Sequence, residues 1–155
     1  MNSDQLQALL HEQIPISAAM GVRVLEAEPR RVIVTAPLAA NHNPAGTMFA
    51  GSQHSLASLA GWSLLRNWCS MFSWSAELVL GKAEIRYMKP ANDDMRAAAE
   101  LTDDQLERLR IARDRSGRAR LELGIDLETS LGVCARFQGH YMARTMDPPA
   151  AGDQG

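Results

Sequence analysis

Between Asn41 and Trp62 the chain passes from a loop into a helix built largely of small side chains. Asn41-His42-Asn43-Pro44-Ala45-Gly46 carries turn formers. The following run has the length and low charge of a buried helix, which predicts a helix over roughly Thr47–Asn67. Ala50, Gly51, Ser52, Ser55, Ala57, Ser58, Ala60 and Gly61 leave its backbone open to close approach by another backbone, a sheet or a ligand. A glycine-containing helix start also presents N–H groups without an intrahelical acceptor. Such groups can polarise a carbonyl or hold an anion.

Around this segment the pattern alternates between strand and helix. Residues 3–12 read as an amphipathic helix carrying Leu6, Leu9 and Leu10, stopped by Ile14-Pro15-Ile16. Val22–Ala27 and Val32–Ala36 read as strands joined at Glu28-Pro29-Arg30, and Leu38–Gly46 as loop. Ser75–Lys89 reads as a long strand with Val79, Gly81, Ala83, Ile85 and Tyr87 on one face and Lys82, Glu84 and Arg86 on the other. Met95–Leu101 is a shorter strand. Thr102-Asp103-Asp104-Gln105 fits a capping box opening a charged helix to about Arg113. Arg118–Glu128 alternates as a half-buried antiparallel strand, with Ala119, Leu121, Leu123, Ile125 and Leu127 inward. Leu131–Ala143 is its hairpin partner, with Val133, Ala135, Phe137 and Tyr141 on the inner face.

The order α-β-β-α-β-β-α-β-β implies an α+β domain whose curved antiparallel six-stranded sheet wraps the long helix. One domain over residues 1–143 is expected, with 144–155 as a disordered tail.

A formal net charge of −2 and a pI near 6.1 give no sign of a nucleic-acid or membrane partner. Cys69 and Cys134 lack metal-type spacing and are expected to be free thiols. The N-terminus lacks a signal-peptide pattern, so a cytoplasmic protein is expected. No nucleotide loop, metal cluster or flavin signature occurs, so no cofactor and no metal are expected.

The residues Asn41, Asn43, Gly46-Thr47, Phe49-Ala50-Gly51-Ser52, Leu56 and Leu59-Ala60-Gly61-Trp62 resemble the central helix of the hotdog fold. Together with Ala83-Glu84-Ile85-Arg86-Tyr87 and Lys89-Pro90 they resemble the thioesterase family that also forms the C-terminal domain of YiiD-type acetyltransferases. The resemblance spans roughly residues 5–143. It implies a homodimer, or a dimer of dimers, and an acyl-thioester substrate lying at the subunit interface, with coenzyme A as part of that substrate. It also implies that N–H groups of Ala50 and Gly51 polarise the thioester carbonyl, helped by the helix dipole. Asn43 falls where related enzymes place an amide that holds a carbonyl or a water, and Asn41 is a weaker match of the same kind.

Helical spacing puts Gly51, His54, Ser55, Ser58 and Trp62 on one face. His54 is a candidate general base that Ser58 can hydrogen bond, or else an interface histidine among small serines. Phe49, Ser52, Ser55 and Trp62 are candidate substrate contacts. Arg86, with Lys82 and Lys89 nearby, is the candidate phosphate contact. His11, His42 and His140 show no partner pattern.

One departure bears on catalysis. Phenylacetate-pathway thioesterases carry His-Gly-Gly at the helix start and an acid further along. Aligned by Gly46-Thr47, those positions here hold Phe49-Ala50-Gly51 and Ser58, and the helix has no Asp or Glu. The base would then be His54, or Glu77 or Glu84 of the partner subunit. Two functions therefore stand: an acyl-thioester hydrolase, and a non-catalytic acyl-thioester binding module. A dehydratase of hydroxyacyl thioesters would need an acid on this helix.

Overall fold

The computed structural model describes residues 1–146. Helix α1 (Ser3–Gln13) opens with a capping box in which the Asn2 side chain accepts from the Gln5 N–H and Gln5 Oε1 accepts from the Asn2 N–H. Its Leu6 and Leu10 are fully buried. Pro15 then starts a single further turn, α2 (Ile16–Ala19), where the sequence suggested only a helix end. The remaining elements are β1 (Arg23–Ala27), β2 (Arg31–Ala36), α3 (Leu38–Asn41), α4 (Ala50–Met71), β3 (Ala76–Tyr87), β4 (Met95–Glu100), α5 (Asp103–Ser116), β5 (Arg118–Thr129) and β6 (Gly132–Thr145).

The six strands form one curved antiparallel sheet, as the sequence pattern predicted, and their order across it is β1-β2-β4-β5-β6-β3. Helix α4 packs against β2, β4, β5, β6 and β3. It buries Leu56, Leu59, Leu64, Leu65 and Trp68 in the sheet's concave face. The expected inner face of β5 is found, with Ala119, Leu121, Leu123, Ile125 and Leu127 buried. On β6 Ala135, Phe137 and Tyr141 are buried as expected, but Val133 is only half-buried, because a bulge opposite Leu127 and Glu128 puts Cys134 in the core instead.

Strand β4 pairs with β5 only at Asp126–Glu128. Beside the first half of β5 its place is taken by α5, whose Gln105 Nε2 donates to the Glu122 carbonyl at 2.9 Å. The same Gln105 closes the capping box with Thr102. One side chain thus caps the start of the helix and satisfies a carbonyl that no strand reaches.

Four expectations are revised. The central helix begins at Ala50, three residues later than expected, because Thr47–Phe49 make loop hydrogen bonds. Met48 N–H donates to Ala91 O and Phe49 N–H to Asn41 O, both at 2.8 Å. The helix also continues to Met71, since no Gly or Pro lies between Asn67 and Phe72. The loop before it contains the turn α3. In β3 a bulge between Leu80 and Lys82 breaks the two-residue period at Gly81. Leu78, Leu80, Ala83 and Ile85 pack on the core, while Val79, expected beside Ala83, is 41 % exposed. Finally, β6 runs on through Arg144 and Thr145, and the rest of the expected tail, 147–155, lies outside the described residues.

Gly61 shows why the helix needs small residues. A Cβ built there would lie 2.3 Å from Cζ and from Oη of Tyr141. That phenol is 3 % exposed and donates to the Ser58 carbonyl at 3.1 Å. Gly61→Ala should therefore destabilise the fold by about 1–3 kcal/mol through overpacking. A thermal melt should show a midpoint lower by roughly 2–10 °C; an unchanged midpoint would mean that Tyr141 moves aside freely.

Candidate active site at the start and exposed face of the central helix

The first three N–H groups of α4, on Ala50, Gly51 and Ser52, have no intrahelical acceptor. No side chain caps them, and the first helical bond runs from Gln53 N–H to Phe49 O. Their positive end of the helix dipole opens beside a cavity of about 380 Å³. Asn43, Thr47, Ala50, Gln53, Tyr87 and Lys89 are among its walls. Tyr87 Oη donates to the Ala50 carbonyl at 2.8 Å, tying the end of β3 to the first turn of the helix. The Phe49 ring, 55 % exposed, lies over Gly51: a Cβ there would be 2.5 Å from Phe49 Cε1.

The expected face of α4 is present. Gly51, His54, Ser55, Ser58 and Trp62 are all half-buried, between residues that are buried in the sheet. His54, Ser55, Ser58, Trp62 and Leu80 line a second cavity of about 270 Å³ with Ile14, Ile16, Leu59 and Tyr141. The Ser58 hydroxyl donates to the His54 carbonyl at 2.9 Å. Its single proton is thereby used, so Oγ can only accept from His54 Nδ1, 3.4 Å away. That contact favours the tautomer with the proton on Nδ1, leaving Nε2 as an acceptor. Nε2 has no partner among the described residues. The imidazole stands edge-on to Phe137, with centroids 5.3 Å apart.

The other expected site residues divide. Asn41 belongs to the fold: it is 4 % exposed and spends its amide protons on Met20 O and Pro37 O, both at 2.8 Å. Asn43 mainly closes its own turn. Its Oδ1 accepts from Ala45 and Thr47 N–H, and Nδ2 donates to Thr47 Oγ1 at 2.8 Å, leaving one amide proton free at the cavity wall. Ser52 is half-buried on the first turn. Arg86 is not brought to either cavity. It lies exposed on the outer face of β3, in register with Arg136. Lys89 is the cation at the first cavity, with Nζ donating to Leu131 O at 3.0 Å. Glu77 and Glu84 are exposed on the same outer face, turned away from α4, and Glu77 is held by Arg144 at 2.5 Å. Because a strand added in the plane of the sheet keeps its faces, edge pairing would not turn these carboxylates toward the helix.

Three residues not singled out from the sequence complete the picture. Gln53 is 5 % exposed, with Nε2 donating to Met48 O at 3.0 Å and Oε1 without a partner. Tyr141 reaches the helix backbone only through the Gly61 gap, which sequence spacing does not show. Arg66 continues the helix face one turn beyond Trp62, with its guanidinium carbon 5.5 Å from that ring. The i, i+4 spacing from Ser58 through Trp62 is the sequence signal by which it could be found. Cys69 is no nucleophile: it is fully buried, and burial pushes its thiol up to about 11. Among the described residues no cluster of three His, Cys, Asp or Glu can hold a metal, and no helix is long and apolar enough to cross a membrane.

The profile of the family described as "Putative thioesterase (yiiD_Cterm)" matches residues 3–145. The chain belongs to this family. A protein from Shewanella oneidensis described as a "putative thioesterase" is 30 % identical, with 92 % of this chain and 96 % of that one covered and a TM-score of 0.82. A Pseudomonas aeruginosa protein, described as of unknown function and a probable thioesterase, is 26 % identical over 94 % and 97 % of the two chains, again with a TM-score of 0.82. A thioesterase from Haemophilus influenzae, 13 % identical over 97 % and 95 %, has a TM-score of 0.74 and shares the fold. The domain is a hotdog fold, and the family and its relatives support thioesterase-type chemistry.

Proposed function

We propose that this protein hydrolyses acyl thioesters, acyl-CoA in the simplest case, at the interface of a homodimer. The observation that carries this is the pairing on one helix face of uncapped N–H groups at Ala50 and Gly51 with His54 one turn on. His54 is held at Nδ1 by Ser58 and opens into a largely apolar cavity. The thioester carbonyl oxygen accepts from the Ala50 and Gly51 N–H groups, which also stabilise the oxyanion that forms. A water gives its proton to His54 Nε2 and attacks the carbonyl carbon. As the tetrahedral adduct collapses, the C–S bond breaks and the thiolate takes that proton back, leaving a carboxylic acid, a free thiol and neutral His54. The free amide proton of Asn43 orients the substrate or the water. Coenzyme A enters as part of the substrate, and the chemistry requires no cofactor.

What supports the homodimer is β3, an edge strand of 12 residues with no strand on its outer side among the described residues. Its pairing with a second copy would cover Val79 and close the His54 cavity against the other subunit. A cytoplasmic location fits a substrate of this kind.

A second reading is a non-catalytic acyl-thioester binding module. It is favoured by the lack of any carboxylate on α4 and by the Phe49 ring lying over Gly51. Free-thiol release from short to long acyl-CoAs, aliphatic and aromatic, separates the two. Hydrolysis is expected well above the uncatalysed rate, with a preference for one chain length. Tight binding without turnover across the panel would establish the binding module instead.

A further inference from the structure

Arg66 is a half-buried cation without an anion. Its Nη2 donates to the Ala76 carbonyl at 2.6 Å and its Nε is buried with no partner. No ion pair to a carboxylate reaches it among the described residues. It lines a cavity of about 670 Å³ at the edge of the sheet, and the charged residues at its rim, Glu77 and Arg144, pair with each other on the outer face. With Nη2 on Ala76 O and Nε sealed from solvent, Nη1 is the donor left open, and a partly desolvated guanidinium so placed favours a visiting anion.

That cavity shares Ile14 and Trp62 with the cavity at His54. Ile14, Ile16, Leu59, Trp62 and Leu80 are the apolar walls of the His54 cavity, and Ile14 and Trp62 carry that wall on into the Arg66 cavity. From His54 to Arg66 the helix advances 12 residues, about 18 Å, and the arginine side chain reaches back along part of it. The apolar walls suit methylene groups, whereas the two amides of a pantetheine arm would lie there unpaired. Resting on the thioesterase reading above, we propose that the preferred acyl group carries a terminal carboxylate, and that Arg66 is the residue that binds it. The substrate class is then the monothioester of a medium-chain dicarboxylic acid, with its thioester end at α4's first turns and its free carboxylate on the guanidinium.

The test compares octanedioyl-CoA with octanoyl-CoA in wild type, Arg66→Met and Arg66→Lys, each checked by thermal melt because Arg66 also holds the Ala76 carbonyl. Wild type should show the higher kcat/KM for octanedioyl-CoA. The ratio should fall by about tenfold or more in Arg66→Met and by less in Arg66→Lys, chiefly through KM. A wild-type preference for octanoyl-CoA, or a ratio unmoved by Arg66→Met, overturns the proposal. An equal loss on both substrates also overturns it, since Arg66 would then be reading the phosphates of coenzyme A. If neither substrate is hydrolysed, the thioesterase reading fails by itself. Calorimetric binding of the same two thioesters to wild type and Arg66→Met then decides the carboxylate assignment independently, by the same ratio.

Discussion

Gly51→Val should lower kcat for acyl-CoA hydrolysis by about 10²–10³-fold, the range for removing an oxyanion donor, while the chain stays folded. The reason is access. The N–H at position 51 lies on the first turn of α4, where no carbonyl of the helix can take its hydrogen bond. A thioester carbonyl has to come within about 3 Å of it to be polarised. A branched side chain stands in that path. It also meets Phe49, since even a Cβ lies 2.5 Å from Cε1. Phe49 is 55 % exposed and can swing away, so the collision itself costs the fold little. The double variant Gly51→Val/Phe49→Ala separates the causes. If activity stays lost, the valine blocks the donor; if it returns, the displaced ring was the obstacle. Turnover unchanged in Gly51→Val would remove Ala50 and Gly51 from the mechanism.

His54→Gln should cost about 10²–10⁴-fold in kcat, the usual contribution of a general base. Glutamine keeps a polar planar group in the cavity but cannot accept and return a proton at neutral pH. A thermal melt and the split between kcat and KM distinguish loss of a base from loss of packing. Loss of a base lowers kcat while the melting midpoint and KM stay near those of wild type. A variant that loses only a few-fold in kcat and melts lower would make His54 a packing partner of Phe137, with which it makes an edge contact. The Ser58 hydroxyl supports the proposed role through its fixed direction, since it donates to the His54 carbonyl and so favours the proton on Nδ1.

The elements that were legible from sequence are those set by local periodicity. Arg118–Glu128 alternates so strictly that its inner face could be read residue by residue, and Leu121, Leu123, Ile125 and Leu127 are all buried. The half-buried face of α4 was legible for the same reason, as was the Thr102–Gln105 capping box. Where a residue's behaviour depends on a partner far along the chain, local pattern failed. Asn41 and Asn43 look alike in sequence. Met20 O, a distant carbonyl, takes one amide proton of the first, while the second folds its amide back onto Thr47. Arg86 and Lys89 are three residues apart, yet only Lys89 turns to the helix start, because β3 ends at Tyr87.

The sequence by itself determined that one long, small-residue helix must be covered by a six-stranded antiparallel sheet. It also determined that His54 and Ser58 share a face with an open glycine start, because 3.6-residue and two-residue periods are properties of the chain alone. The tertiary structure decided the rest. The bulge at Gly81 turns Val79 outward and brings Leu80 to the cavity. The gap at Gly61 admits Tyr141 to the helix backbone. The fold leaves Arg66 at the end of an apolar wall without a carboxylate. Each depends on which groups come within a few ångströms across the sheet and the helix, and only the packed chain fixes those distances.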